Sequence, residues 1–173
     1  MTHVRRASPT DAPALAAAVR ELLAELGGEP PPPAGLCEAA RALASDPDAG
    51  VLLIAETGGT IVGVLGASWP MAVHVPGTYA LIQELWVDPA WRRRAVADEL
   101  MRAFVALVRE RGIERVEVGL PRADFLGIHA TAAFYRESGF RELGVRMRRT
   151  VSRPRPDETE PATSGLHTTD GAR

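Results

Sequence analysis

The sequence predicts an α/β protein, more fully an α+β arrangement on one mixed β-sheet, and three observations carry that reading. Two apolar β-type runs, 51–56 and 61–68, flank Thr57-Gly58-Gly59-Thr60, a hairpin signal because glycine supplies the positive φ that tight turns need. A third run, 79–87, stops at Asp88-Pro89, after which Val96, Leu100, Phe104 and Val108 recur at helical spacing, so a strand turns into a helix. A further strand over 115–120 and a helix over 128–138 follow. Such alternation predicts helices layered on a sheet that is antiparallel in its hairpin part and parallel around the third helix.

Taken in order, residues 3–7 make a short first strand. Ser8-Pro9-Thr10-Asp11 then opens a helix with a capping serine, a first-turn proline and an acid three residues after the cap. Leu15, Val19, Leu22 and Leu26 mark its apolar face, closed by Gly27-Gly28. The prolines at 30–33 form a stiff spacer that is not helix, and Leu36, Ala40 and Leu43 mark a short second helix ending before Asp46-Pro47. Gly63 and Gly66 thin out the second strand of the hairpin. After Trp69-Pro70 a loop carries Met71, His74, Pro76 and Gly77, and in the next strand Gln83 and Glu84 interrupt the apolar character. The third helix ends at Gly112, Val116 and Val118 alternate around Glu117, and Gly139 caps the fourth helix. A last strand over 140–151 turns basic at Arg146, Arg148 and Arg149. From Ser152 onward there are almost no core formers, which predicts a single domain over 1–151 and a disordered C-terminal tail over 152–173.

A chain of 173 residues, 46% hydrophobic and 24% charged, suffices for one sizeable core. The formal net charge of −2 gives no field that would hold a polyanion, so no nucleic-acid partner is expected. Cys37, the only cysteine, excludes an intramolecular disulfide and a cysteine-rich metal site, and reads as a small buried hydrophobe. No metal is expected. With no charged-then-apolar leader and no long apolar span, the expected address is cytoplasmic, without a membrane partner.

Arg92, Arg93 and Arg94 sit where the third run passes into its helix. A helix start leaves backbone N–H groups unpaired and carries the positive end of the dipole, so residues 91–97 form an anion seat suited to a phosphate. A solvated basic turn, or one that binds an acidic protein, is the alternative from the residues alone.

The run Leu85-Trp86-Val87-Asp88-Pro89-Ala90-Trp91-Arg92-Arg93-Arg94-Ala95-Val96-Ala97 resembles the signature of the GCN5-related N-acetyltransferases (GNAT): a strand ending in Val-x-Pro, an aromatic residue, and an Arg/Gln-x-x-Gly-x-Gly/Ala loop opening a helix. Ala133-Phe134-Tyr135-Arg136-Glu137-Ser138-Gly139-Phe140 is similar to the family's Phe-Tyr-x-x-x-Gly-Phe segment. By element order the resemblance covers about residues 3–151. It implies a GNAT-like central twisted mixed β-sheet of six to seven strands flanked by about four helices. Two departures stand out. The family usually has glycine at Ala95 and often at Arg93; with ordinary helical angles at residue 95, alanine costs no backbone strain. Ile128 replaces an asparagine that many members carry, removing a polar contact to the cofactor, and His129 is its neighbour.

What the resemblance implies is acetyl transfer from acetyl-CoA, as cosubstrate, to a primary amine of a small molecule or peptide. Glu84, directly or through a water, is the candidate base, since an alkylammonium of pKa ~10 must lose a proton before it attacks a thioester. Gln83 points to the opposite sheet face. The Val87 N–H is the oxyanion donor and Tyr135 the proton donor to the CoA thiolate. The cofactor-binding set is Leu85, Trp86, Val87, the backbone of residues 92–97 (Arg92, Arg93, Arg94, Ala95, Val96 and Ala97), Ile128 and Phe134. The acceptor pocket falls between the loops at 27–35 and 69–77, which hold no acidic cluster for a polycation. His74 lies in the second of these. A homodimer through the last strand is compatible with the sequence, and a catalytically silent acyl-CoA-binding or regulatory domain on the same fold is the competing reading.

Overall fold

The computed structural model describes residues 2–144 and 147. The chain divides into Met1–Leu143 and Gly144–Arg173, and every element below belongs to the first unit. Elements follow in the order β1 (His3–Arg6), α1 (Ala12–Glu25), α2 (Pro33–Ser45), β2 (Gly50–Thr57), β3 (Thr60–Ser68), β4 (Met71–Ala72), β5 (Val75–Thr78), β6 (Ala80–Val87), α3 (Val96–Glu110), β7 (Val116–Val118) and α4 (Ile128–Glu137). Five strands form one sheet in the order β1-β2-β3-β6-β7, antiparallel except for the parallel pair β6–β7. This is the expected mixed α/β sheet.

Both faces of the sheet are covered, which is why β2 reads as a continuous apolar run. Val51, Leu53, Leu65 and Ala67 pack with Leu100, Phe104 and Val108 of α3, and Leu52, Ile54, Val64 and Trp86 pack with Leu15 and Ala18 of α1. Asp11 ties the start of α1 to the sheet: its carboxylate accepts from the Ser8 N–H (2.7 Å) and from two nitrogens of Arg5 (2.9 and 3.0 Å), and the Arg5 hydrogen bond holds it well below the usual carboxylate range. The capping signal was correct, but the first turn, Pro9–Asp11, is a 3-10 turn.

The structure corrects several expectations. Pro33 belongs to α2: the first residue of a helix has no intrahelical use for its N–H, so proline is tolerated there. The expected loop at 71–77 contains the small hairpin β4–β5, with Met71 opposite Thr78. β7 is three residues long because only Ala80, Leu81 and Ile82 pair with it. Residues 140–144 carry no strand, and the remainder of the expected last strand, apart from Met147, lies outside the described residues, as does the tail at 152–173. Cys37 is half-buried rather than buried, with Arg41 Nη2 3.5 Å from its sulfur. Among the described residues no helix is long and apolar enough to cross a membrane.

Candidate active site

Strict alternation along β6 would set Glu84 on the same face as Ile82. A β-bulge intervenes: Gly66 pairs with Glu84 but Ala67 pairs with Ile82, so Gln83 is an extra residue and the pleat is reset. Ile82, Leu85 and Val87 pack toward α3, whereas Trp86 and, two residues before it, Glu84 face α1. Gly66 makes this possible. A Cβ on it would lie 2.3 Å from Glu84 Oε2, so the carboxylate occupies space a side chain would fill. Glu84 is partly buried, and desolvation pushes its pKa above the ordinary glutamate value.

The far end of β6 is open on one side. The Asp88 N–H donates to the Val62 carbonyl (3.0 Å), which makes Gly63–Val87 a pair whose own N–H and C=O groups turn away from β3. The Val87 and Leu85 amides therefore face the β7 side, where pairing ends at Ile82. Trp86 is the opposite case: its backbone groups are directed at Val64 of β3 and its ring is buried in the α1 cluster. The structure does not bring Trp86 to the open edge with its neighbours.

The turn after β6 is built by Asp88, whose side chain accepts from the Ala90 N–H (2.8 Å) around Pro89. Arg93 and Ala95 both have positive φ, 60° and 61°, and Ala95 is the N-cap of α3. Residue 95 therefore lacks ordinary helical angles, and the condition under which its alanine is free of backbone strain is not met. A left-handed turn aims successive N–H groups to one side, and both family glycine positions are bent this way although neither holds glycine here. Val96 is buried over Gly63, where a Cβ would come within 2.7 Å of Val96 Cγ1, so this glycine in β3 seats the first turn of α3. No side chain caps α3. Its first turn carries Asp98 and Glu99, so positive potential at the seat comes from the N–H groups and the arginines.

The three arginines are not equivalent. Arg92 donates through Nε to the Val87 carbonyl (3.1 Å) and through Nη2 to both oxygens of Glu25 (2.5 and 2.7 Å), tying the end of α1 to the strand end. Arg94 lies over the Trp91 ring, 5.1 Å from its centroid. Arg93 is exposed, as are Arg94 and Ala95, while Ala97 is partly buried. Tyr135 is buried in the cluster that includes Leu85 and Val87, edge-on to Phe134 and Phe140 (both centroids 5.3 Å away). Burial pushes its pKa up to about 12. Ile128 is partly buried at the start of α4, and His74 and His129 are exposed. Glu25, Gly63 and Gly66 were not singled out as site residues from sequence; the glycines interrupting β3 were the only available signal.

A cavity of about 220 Å³ opens between the end of α1, at Glu25 to Gly27, and the β7–α4 loop at Arg122, Asp124, Phe125 and Leu126. Because β6 and β7 are parallel, their carboxyl ends and the cavity share one end of the sheet.

A mixed sheet with helices on both faces, whose one parallel pair separates at its carboxyl end, defines an α/β fold with an open strand end. The model of the acetyltransferase (GNAT) family matches residues 16–140, and the chain belongs to that family. Among solved structures, an aminoglycoside acetyltransferase, HMB0005, from an uncultured soil metagenomic sample is 25% identical with a TM-score of 0.69, over 88% of this chain and 99% of that one. A predicted acetyltransferase from Clostridium acetobutylicum, solved with acetyl-CoA, is 18% identical with a TM-score of 0.72, over 87% and 96% of the two chains. AAC(6')-Iy, solved with the bisubstrate analog CoA-S-monomethyl-acetylneamine, is 16% identical with a TM-score of 0.69, over 90% and 99%. No curated protein matches.

Proposed function

We propose that the protein is an N-acetyltransferase that moves an acetyl group from acetyl-CoA to a primary amine by direct attack. The observation that carries this reading is the strand end itself: a bulge aims Glu84 to one face while the Val87 N–H is left open at the edge between the faces. Acetyl-CoA supplies the acetyl group activated as a thioester. The chain fits it, with the turn at 92–95, left-handed at Arg93 and Ala95, and the uncapped N–H groups of α3 for the pyrophosphate and the Leu85 amide for the arm.

Glu84, with its pKa raised by burial, is a better base for an alkylammonium than an ordinary carboxylate and takes the proton directly or through a water. The Val87 N–H donates to the carbonyl oxygen as negative charge develops there. Tyr135 approaches from the α3 side of the sheet. At a pKa of about 12 its hydroxyl stays protonated; a thiol is a stronger acid than such a phenol, so full transfer to the thiolate is uphill, and the donated hydrogen bond stabilises the departing sulfur.

Calorimetric titration with acetyl-CoA, with free CoA and ATP as controls, tests the reading first, followed by CoA release over an amine panel. Saturable binding that prefers the CoA compounds is expected. Glu84→Gln should leave that affinity within about twofold and lower kcat at least ~100-fold. In the wild type kcat/KM should fall on the acid side through a pKa above the ordinary glutamate value of ~4.3, because the protonated form cannot act as base, and the variant should lose that limb. A folded protein that does not bind acetyl-CoA overturns the assignment. The side chains at Arg93, Ala95 and Ile128 favour a second reading, a silent acyl-CoA-binding domain, which predicts binding without CoA release on any amine.

A further inference from the structure

We propose that the cavity between the end of α1 and the β7–α4 loop seats the acceptor, and that it selects a singly charged amine bearing one compact aromatic or branched alkyl body, with the Glu25 carboxylate facing its ammonium. The proposal rests on the acetyl-transfer reading above and assigns the substrate class of that same site.

Position is the first argument. Glu25 is separated from Val87 by one guanidinium, since Arg92 bonds the carboxylate at 2.5 and 2.7 Å and the Val87 carbonyl at 3.1 Å. Val87 is the residue whose N–H faces the open edge, so the cavity begins one guanidinium away from the strand end where the acetyl-transfer reading puts the carbonyl. It is also on the correct face. α1 covers the side of the sheet that holds Trp86 and Glu84, and an amine entering at the end of α1 meets the base without crossing the sheet.

Chemistry is the second. Leu26, Phe125 and Leu126 supply apolar walls, and Leu126 is fully exposed, an apolar side chain that a ligand would cover. Phe125 lies across Gly127, where a Cβ would be 2.6 Å from the ring, so the missing side chain lets the ring rest on the backbone. Charge limits the guest. Glu25 is shared with Arg92, and Asp124 accepts from Arg122 (3.0 Å), so the rim holds no surplus of acid to gather a polycation. The cavity, about 220 Å³ and open to solvent on one side, is wide enough to receive a ring with a short amine arm.

The experiment measures CoA release by the full chain with 2-phenylethylamine, spermidine and kanamycin, alongside acetyl-CoA calorimetry. The expected result is a kcat/KM for 2-phenylethylamine at least about tenfold above the other two. Leu126→Ser, at a side chain that contributes nothing to the core, should raise the KM for 2-phenylethylamine about fivefold with acetyl-CoA Kd within about twofold of wild type, and Glu25→Gln should raise that KM about tenfold. Acetyl-CoA binding with turnover of only spermidine or kanamycin, or of none of the three, overturns the pocket assignment and leaves the cosubstrate site standing. Unchanged KM in both variants overturns it as well. Failure of the wild type to bind acetyl-CoA removes both proposals.

Discussion

β3 and the turn at 92–95 both sit at positions where a small residue is useful, and they need it for different reasons. At Gly63 and Gly66 what matters is empty space: a Cβ would meet Val96 Cγ1 at 2.7 Å in one case and Glu84 Oε2 at 2.3 Å in the other. At Arg93 and Ala95 both residues are exposed, and what is unusual is the backbone, with φ at 60° and 61°. The chain keeps glycine in the strand and dispenses with it in the turn. Left-handed backbone costs a non-glycine residue ~1–2 kcal/mol, which a folded domain can absorb. A side chain driven into a packed core displaces what is already there, and here that is the helix carrying the anion seat or the candidate base.

The largest expected effect follows from breaking the strand side of this comparison. Gly66→Ala should displace the Glu84 carboxylate and lower kcat at least ~100-fold, with a stability loss of ~1–3 kcal/mol in a denaturant melt. Retained turnover would show that the flexible end of Glu84 makes room for the methyl, and retained turnover in Glu84→Gln as well would show that Glu84 is not the base. Next, Ala95→Asp keeps a residue that tolerates left-handed φ but sets a carboxylate at the proposed phosphate seat. Acetyl-CoA affinity should fall ~100-fold with the circular dichroism spectrum unchanged, and equal affinity would put the pyrophosphate elsewhere. Tyr135→Phe keeps the edge-on packing and removes only the hydroxyl; kcat should drop about tenfold with acetyl-CoA Kd unchanged, and equal turnover would remove its role. The smallest effect sharpens the turn side. Ala95→Gly relieves the strained φ and should raise Tm by roughly 2–4 °C, while a lower Tm would show that the alanine methyl contributes more than the strain costs.

The fold was readable because its signals are local. The Gly58-Gly59 turn, the helical spacing from Val96 to Val108 and the break at Asp88-Pro89 are each complete within a short window. The misses share a cause. Pro33 looked like a spacer because a proline run does not show where its last member becomes a helix start. The β4–β5 hairpin has no alternating pattern long enough to read. The short β7 is bounded by the length of its contact with β6 rather than by its own residues.

The candidate site divides the same way. The sequence by itself was enough to point to the family and to name Glu84, Val87, Tyr135 and the arginine turn as candidates, because residue type and order along the strand–turn–helix unit and the segment 133–140 suffice for these. Tertiary structure alone decided which face Glu84 takes, since that depends on a bulge against β3. It also decided that Ala95 is left-handed, that Trp86 is turned into the core, and that Arg92 is committed to Glu25, a residue 67 positions away in the chain. Each of these is a relation between segments distant in sequence, fixed only when packing brings them together, and no local propensity encodes it.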